Sequence, residues 1–374
     1  MFWGRGTDLE CRFLPEGFSD VDATAKRAGS RKRRAPSSGE GWRDSEPFSA
    51  NGARPYGALD LGTNNCRLLI ARPTGNGLSV VDAFSRIVRL GEGLGRSGQL
   101  KPEAMDRTIE ALRVCSNKMI WHGVGPRRLI ATEACRQAEN GAEFIARVAD
   151  EVGLELEIID RQTEASLAAS GASPLIEKGA HSAVIFDIGG GSTEVMWMED
   201  EGGAHKIKAW ISLAAGVVTL SERLNGGREV TPDTFAAMRS EVRRLMQPFI
   251  AEVAEFAGEA AAPTHLLGTS GTVTTIAGVH FGLRHYDRSR IDGSWISNEG
   301  AGEVTKRLLA MKYEERVQNG CIGRERADLV LAGCAILEEI RVAFPAPRIR
   351  VADRGLREGI LIQMMQADNV WMQA

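Results

Sequence analysis

Two short motifs of one form constrain this fold more than any other feature. Asp60-Leu61-Gly62-Thr63-Asn64-Asn65 separates the β-rich runs Tyr56–Asp60 and Cys66–Ala71, and Asp187-Ile188-Gly189-Gly190-Gly191-Ser192-Thr193-Glu194 separates Ala183–Asp187 from Glu194–Met198. An apolar run, a glycine turn and a second apolar run read as a β-hairpin. A third strand signal follows each hairpin, at Leu78–Phe84 and Lys206–Ser212. Helical and single-strand signals then alternate. In the first half they are Glu103–Trp121 (after Pro102, with apolar spacing at Met105, Ile109, Leu112 and Met119), Arg128–Ala131, Gly141–Val152, Leu154–Ile159 and Thr163–Ile176. In the second, Thr231 caps a long helix with Pro232 at its first position. A strand at His265–Leu267, helices over 272–282, 299–312 and 325–342, a strand at Arg348–Val351 and a terminal helix from Leu356 complete it. Beyond the turns the halves share almost no side chains, so the duplication is one of architecture. The expected division is 55–180 and 181–374, with the terminal helix able to return to the first half.

A chain of 374 residues, 43% hydrophobic and 25% charged, is long enough for two cores. Its net charge of −3 argues against a protein that coats nucleic acid. Residues 1–54 differ in texture. They are rich in Gly, Ser, Arg and Pro, lack apolar periodicity, and carry ten basic side chains against eight acidic ones, with Arg31-Lys32-Arg33-Arg34 as a cluster. Such a segment cannot bury enough apolar surface to order itself; disorder, a polyanion-tethering arm or a misplaced start codon all accommodate it. The six cysteines show no close spacing, which suits reduced thiols rather than a zinc site or disulfide framework. No secretory signal opens the chain and no run reaches the roughly 18 apolar residues of a membrane span, so the expected location is the cytosol, with no membrane partner and no specific nucleic acid. The six histidines form no ligand cluster.

The glycine turns suggest phosphate chemistry. At Gly62 the missing Cβ lets backbone N–H groups and small hydroxyls approach an oxyanion, while Asp60 can hold a hydrated cation beside it; a plain hairpin is the alternative. Gly189-Gly190-Gly191 is more specific, because three successive glycines are costly to order and a simple turn does not need them. Flanked by Asp187 and Glu194, they suit an oxyanion and Mg2+ together. Leu266-Leu267-Gly268-Thr269-Ser270-Gly271-Thr272 leads a strand into a helix N-terminus, a further anion-favouring element or an ordinary capped turn. In Asp353-Arg354-Gly355-Leu356-Arg357-Glu358-Gly359, the two arginines either face a polyanion or form surface ion pairs.

Together these motifs resemble a known family. Asp60–Asn65, Ala131-Thr132-Glu133-Ala134-Cys135-Arg136-Gln137-Ala138, Ile158–Ala165, Asp187–Glu194, Gly268–Thr272 and Asp353–Gly359 are similar, in order, to signatures of the exopolyphosphatase/guanosine pentaphosphate phosphohydrolase family. The resemblance spans about Tyr56 to Met365, and the paired Asp-x-Gly turns mark the wider superfamily of actin, sugar kinases and heat-shock ATPases. It implies an α/β, actin-like (ribonuclease H-like) duplicated fold with two lobes and an interlobe cleft. Glu164 then matches the catalytic glutamate that activates water. Arg136 and Arg326 match phosphate-binding arginines, Asp187 and Glu194 the acids associated with Mg2+, and Gly189, Gly190 and Ser192 the phosphate cradle. Asp60, Gly62, Thr63, Asn64 and Gly271 complete the expected phosphate contacts. A homodimer is also implied. Thr163 replaces an acid the family often carries, and Ser166 an arginine of some relatives. Longer members append a helical metal-phosphohydrolase domain bearing a His-Asp dipeptide; no such dipeptide occurs in this sequence.

The expected activity is hydrolysis of a terminal phosphoanhydride, in inorganic polyphosphate or guanosine pentaphosphate. Two alternatives remain open: a small-molecule kinase on the same scaffold, and a non-catalytic polyphosphate or alarmone sensor.

Overall fold

In the computed structural model, which describes residues 54–74, 77–258 and 262–371, the first hairpin pairs β1 (Tyr56–Leu61) with β2 (Asn65–Thr74), placing Asp60 opposite Arg67. The basic extension read from the sequence lies outside the described residues, apart from Arg54. β3 (Gly77–Ile87) adds antiparallel to β2, while β4 (Arg127–Ala131) and β5 (Glu157–Ile158) add in parallel on the other side of β1, giving the order β3-β2-β1-β4-β5. Five helices accompany them: α1 (Leu94–Ser97), α2 (Pro102–Trp121), α3 (Glu133–Gln137), α4 (Gly141–Val152) and α5 (Arg161–Ala172).

The second half repeats the plan. β6 (Ser182–Ile188), β7 (Thr193–Glu201) and β8 (Ala204–Leu213) form the meander, with Asp187 opposite Glu194. β9 (His265–Thr269) runs parallel to β6. β11 (Arg348–Val351) runs parallel to β9, and β10 (Trp295–Ser297) closes the edge. Its helices are α6 (Val217–Arg223), α7 (Pro232–Ala257), α8 (Ser270–His280), α9 (Arg288–Ile291), α10 (Asn298–Ala310), α11 (Tyr313–Gln318), α12 (Val330–Ala343) and α13 (Leu356–Ala367). Thr231 caps α7 through Thr234 N at 3.1 Å, as its sequence suggests.

Strand alternation decides where the acids point. Successive strand residues face opposite sides. Leu59, Leu61, Leu68 and Ile70 pack under α2 and α4, while Ala58, Leu69, Ala71 and Ile130 pack with Leu167 of α5 and with Ile360, Leu361 and Met365 of α13. Asp60 and Arg67 share the parity of that second face. In the second sheet Val184, Phe186, Val195 and Trp197 enter the large core, whereas Ala183, Ile185, Met196 and Met198 pack on Ala165, Ala169 and Ala172 of α5; Asp187 and Glu194 share their parity. Helix α5 is thus sandwiched between the sheets. Its alanines and Gly171 permit this, since larger side chains would force the sheets apart.

The chain passes between the halves twice, from α5 to β6 and from β11 to α13. They also meet without covalent linkage. Arg89 donates to both carboxylate oxygens of Asp328, at 3.0 and 3.1 Å, and Gly93 N donates to Glu222 Oε1 at 2.9 Å.

Two expectations need correction. The strand expected over Leu154–Ile159 shrinks to Glu157–Ile158, because Leu154, Leu156 and Ile159 are buried in cores without joining the ladder. The helix expected from 325 begins at Val330, since Asn319 to Leu329 close into successive turns, Ile322 N to Asn319 O at 3.0 Å among them. No helix among the described residues is long and apolar enough to cross a membrane.

Candidate active site

Both glycine turns close through the same bond: Gly62 N donates to Asn65 O, and Gly189 N to Ser192 O, each at 2.9 Å. This leaves the amides of Thr63, Asn64, Gly190 and Gly191 without a backbone acceptor among the described residues. The first turn of α6 sits behind the second cradle, with Val217 N and Val218 N donating to the carbonyls of Gly189 and Gly190 at 2.9 Å. The turns touch. A Cβ on Gly190 would stand 3.1 Å from Asn64 N and Thr63 Cβ, and one on Gly191 only 2.5 Å from Thr63 Oγ1. Glycine is needed there for close approach.

A cavity of about 870 Å³ opens where they meet. Every residue expected from the sequence to act in catalysis or to hold phosphate or metal lines it, except Arg136. Three of its lining residues carry buried atoms, Asn64 Oδ1, Asn65 Oδ1 and Ser270 Oγ, without a hydrogen-bond partner among the described residues. Ser270, at the start of α8, also holds a left-handed φ of 89°, a strained conformation of the kind that concentrates at ligand sites.

Four carboxylates gather at one end. Burial pushes Asp187 up to about 6, with Asp60 adding repulsion and Arg67 opposing it. Burial, then Asp187, pushes Glu194 up to about 7, against hydrogen bonds from Ser192 and Ser212. Those hydroxyls donate to Oε1 at 2.8 and 2.9 Å, and Oε2 has no partner among the described residues. Asp60 is raised chiefly by burial, and Glu164 well above the usual range by burial and then Glu194. Clustered, desolvated carboxylates of this kind favour a cation among them.

Arginines answer them. Arg326 donates to Thr275 Oγ1 at 3.3 Å, and its guanidinium lies 3.3 Å from where a Gly271 Cβ would stand. Burial works against the charge of both Arg326 and Arg357. Among the described residues neither they nor Arg67 forms an ion pair, and all three line the cavity. Arg354 instead pairs with Asp292. The sequence reading missed Arg67, although a signal was present: it follows Asp60 at the same interval at which Glu194 follows Asp187, and each pair is opposed in its hairpin.

Glu164 sits in the first turn of α5, whose N-cap Asp160 accepts from Thr163 N at 2.7 Å. Its Oε2 accepts from Arg136 Nη2 at 3.1 Å, while Oε1 has no partner among the described residues. Arg136 also reaches Glu133 and the Ile159 carbonyl. Held there, it points to protein acceptors rather than into the cavity.

No group of three or more His, Cys, Asp or Glu side chains forms a metal cage among the described residues. Mg2+ does not require one, since it keeps several waters and takes one or two carboxylates together with substrate phosphate. The buried, mutually repelling Asp187 and Glu194 fit that mode, as do Glu194 Oε2 and Asn64 Oδ1, which have no hydrogen-bond partner among the described residues.

The description of the Ppx/GppA phosphatase family matches residues 69–368. The chain belongs to this family. Exopolyphosphatase 2 of Mycobacterium tuberculosis is 30% identical over 325 residues, covering 82% of this chain and 97% of that protein. The crystal structure of the Aquifex aeolicus Ppx/GppA family member superposes with a TM-score of 0.69 at 26% identity, over 84% of this chain and 98% of that one. An exopolyphosphatase from Cytophaga hutchinsonii superposes at 0.76 over 85% and 100%, and at 24% identity it speaks for the fold alone. This Ppx/GppA chain therefore has the two-lobed, actin-like α/β fold, and phosphoanhydride hydrolysis is its class of chemistry.

Proposed function

We propose that the protein releases orthophosphate from the end of inorganic polyphosphate, with guanosine pentaphosphate as the alternative substrate. The observation that carries this reading is the contact of the two Asp-Gly turns above one cavity, with a partly free glutamate and unpaired arginines around it. The terminal phosphoryl group rests on the open amides of Thr63, Asn64, Gly190 and Gly191. Arg67, Arg326 and Arg357 offset the charge of the chain behind it. Glu164, tied at Oε2, orients the attacking water and takes its proton on Oε1. Asp187 and Glu194 would hold Mg2+, which when bound would supply positive charge beside the phosphoryl oxygens. Phosphoryl transfer asks for positioning and electrostatics more than covalent help. A cytosolic location and a homodimer go with this reading.

The test is phosphate release with Mg2+ from long-chain polyphosphate and guanosine pentaphosphate, side by side. Release from polyphosphate is expected. Release from guanosine pentaphosphate alone would reassign the substrate, and release from neither would end the proposal. Labelled ATP with candidate acceptors separates a kinase, which labels the acceptor, from a hydrolase, which labels only free phosphate. Tight binding without release would indicate a sensor.

A further inference from the structure

Glu133 is 2% exposed, lines the cavity, and was not among the residues expected to act. It opens α3 immediately after β4. A carboxylate so buried needs donors, and it has them from two arginines and an amide. Oε2 accepts from Arg136 Nε at 3.1 Å and also from its Nη2; Oε1 accepts from Arg161 Nη2 at 2.8 Å and from Gln137 Nε2. Burial alone would raise its pKa, but Arg161 and Arg136 more than offset this and hold it below the usual range. The carbon stem lies against the second cradle, where a Cβ on Gly191 would stand 2.9 Å from Glu133 Cγ. Glu133 therefore touches the phosphate turn of one lobe and the arginines of the other.

The consequence lies in Arg136. Its Nε and Nη2 are occupied by Glu133, its Nη1 by the Ile159 carbonyl, and the same Nη2 reaches Glu164 Oε2. Every nitrogen of the guanidinium is assigned, so its plane is fixed. Without Glu133 it would keep one backbone anchor and could turn toward the cavity, where an anionic substrate would compete with Glu164 for it. We infer that Glu133 is a positioning residue: it clamps Arg136 as the bridge that orients Glu164, and so decides that this arginine serves the base and not the substrate. The inference rests on the proposed hydrolytic role of Glu164. Thr163 stands where relatives often carry an acid beside that glutamate, and here Glu133 brings a carboxylate to the same arginine from another helix.

The experiment reads clamp and catalysis separately. In full-length protein labelled with ¹⁵N-arginine, the Arg136 Nε–H signal, assigned through Arg136→Lys, is expected to exchange slowly. Glu133→Gln removes the charge at constant shape; the signal should then average with solvent, and kcat for phosphate release from long-chain polyphosphate should fall about 10–100-fold while KM holds. Glu133→Asp, which keeps the charge, should recover part of both. A Glu133→Gln variant that retains the slow signal, or that loses thermal stability with kcat intact, overturns the inference. A slow Arg136 signal that vanishes in Glu133→Gln, in a wild type that releases no phosphate, supports the clamp and sinks the hydrolytic reading instead.

Discussion

The backbone nitrogen of Gly359 lies 2.8 Å from the point where a Cβ on Gly171 would stand, and the Gly355 carbonyl oxygen lies only 1.9 Å from it. Helices α5 and α13 thus cross backbone to backbone, and α5 carries Glu164 at its other end. Gly171→Ala and Gly359→Ala must each push the helices apart. We expect a loss of about 1–3 kcal/mol or more in denaturant unfolding, and reduced turnover as α5 shifts. Gly227→Ala, with no atom within 4 Å of its added Cβ, should change neither.

Replacing Glu164 by Gln keeps its shape and abolishes its basicity. Turnover on polyphosphate is expected to fall about 10²–10⁴-fold, with binding of the polymer retained in a titration. Near-normal turnover would remove Glu164 from the mechanism.

The two cradle glycines should respond unequally. An added methyl at Gly190 meets Thr63 and Asn64 at 3.1 Å, which a few tenths of an ångström relieve, whereas at Gly191 it meets Thr63 Oγ1 at 2.5 Å and Glu133 Cγ at 2.9 Å. Gly191→Ala should therefore lose much more kcat than Gly190→Ala. Equal losses would mean that the turns part freely.

His265 makes stability pH-dependent on the acid side. It is fully buried, its Nε2 accepting from Glu177 N at 3.1 Å and its Nδ1 donating to the Leu266 carbonyl at 3.0 Å. Burial lowers its pKa below 6.5; Leu266 and Glu177 oppose this, while Arg348 and Arg350 add to it. The folded state then binds the proton less tightly than the unfolded state, so this contribution is complete above about pH 6.5 and is lost as pH falls through the lowered value. The melting temperature should drop between pH 7.5 and 5, and His265→Asn should flatten that slope.

Mg2+ should raise the melting temperature at neutral pH, by about 2.7 kcal/mol of stabilisation at a hundredfold excess over its Kd. Asp187→Asn should lose most of the shift. An undiminished shift in that variant would place the ion elsewhere.

The sequence revealed the hairpins because two local signals coincide there, alternating burial and a glycine turn. It also pointed to Asp187, Glu194 and the glycines between them, which are contiguous in sequence and line the cavity together. Residues that depend on distant neighbours were harder to see. Glu133 looks like any acid in a helix's first turn, and only the fold brings Arg161 to it, at 2.8 Å. Arg136 was expected to grip phosphate, and nothing in the sequence signalled that Glu133, Glu164 and the Ile159 carbonyl would all hold its guanidinium. Arg67 was legible only to a reader who carried the duplication through the second strand of each hairpin. Leu154–Ile159 misled for a related reason: an apolar run buried between helix and sheet has the composition of a strand without its ladder.

The two chain passages between the sheets have a mechanical meaning. Bodies tied together at two points cannot slide past each other or drift apart; they can only swing about the line joining those points, like covers about a spine. Arg89–Asp328 and Gly93–Glu222 then act as the clasp. Opening the covers would break that clasp, in which Arg89 also reaches the Glu325 carbonyl at 3.2 Å, and part the two glycine turns, while each greasy interior stayed whole.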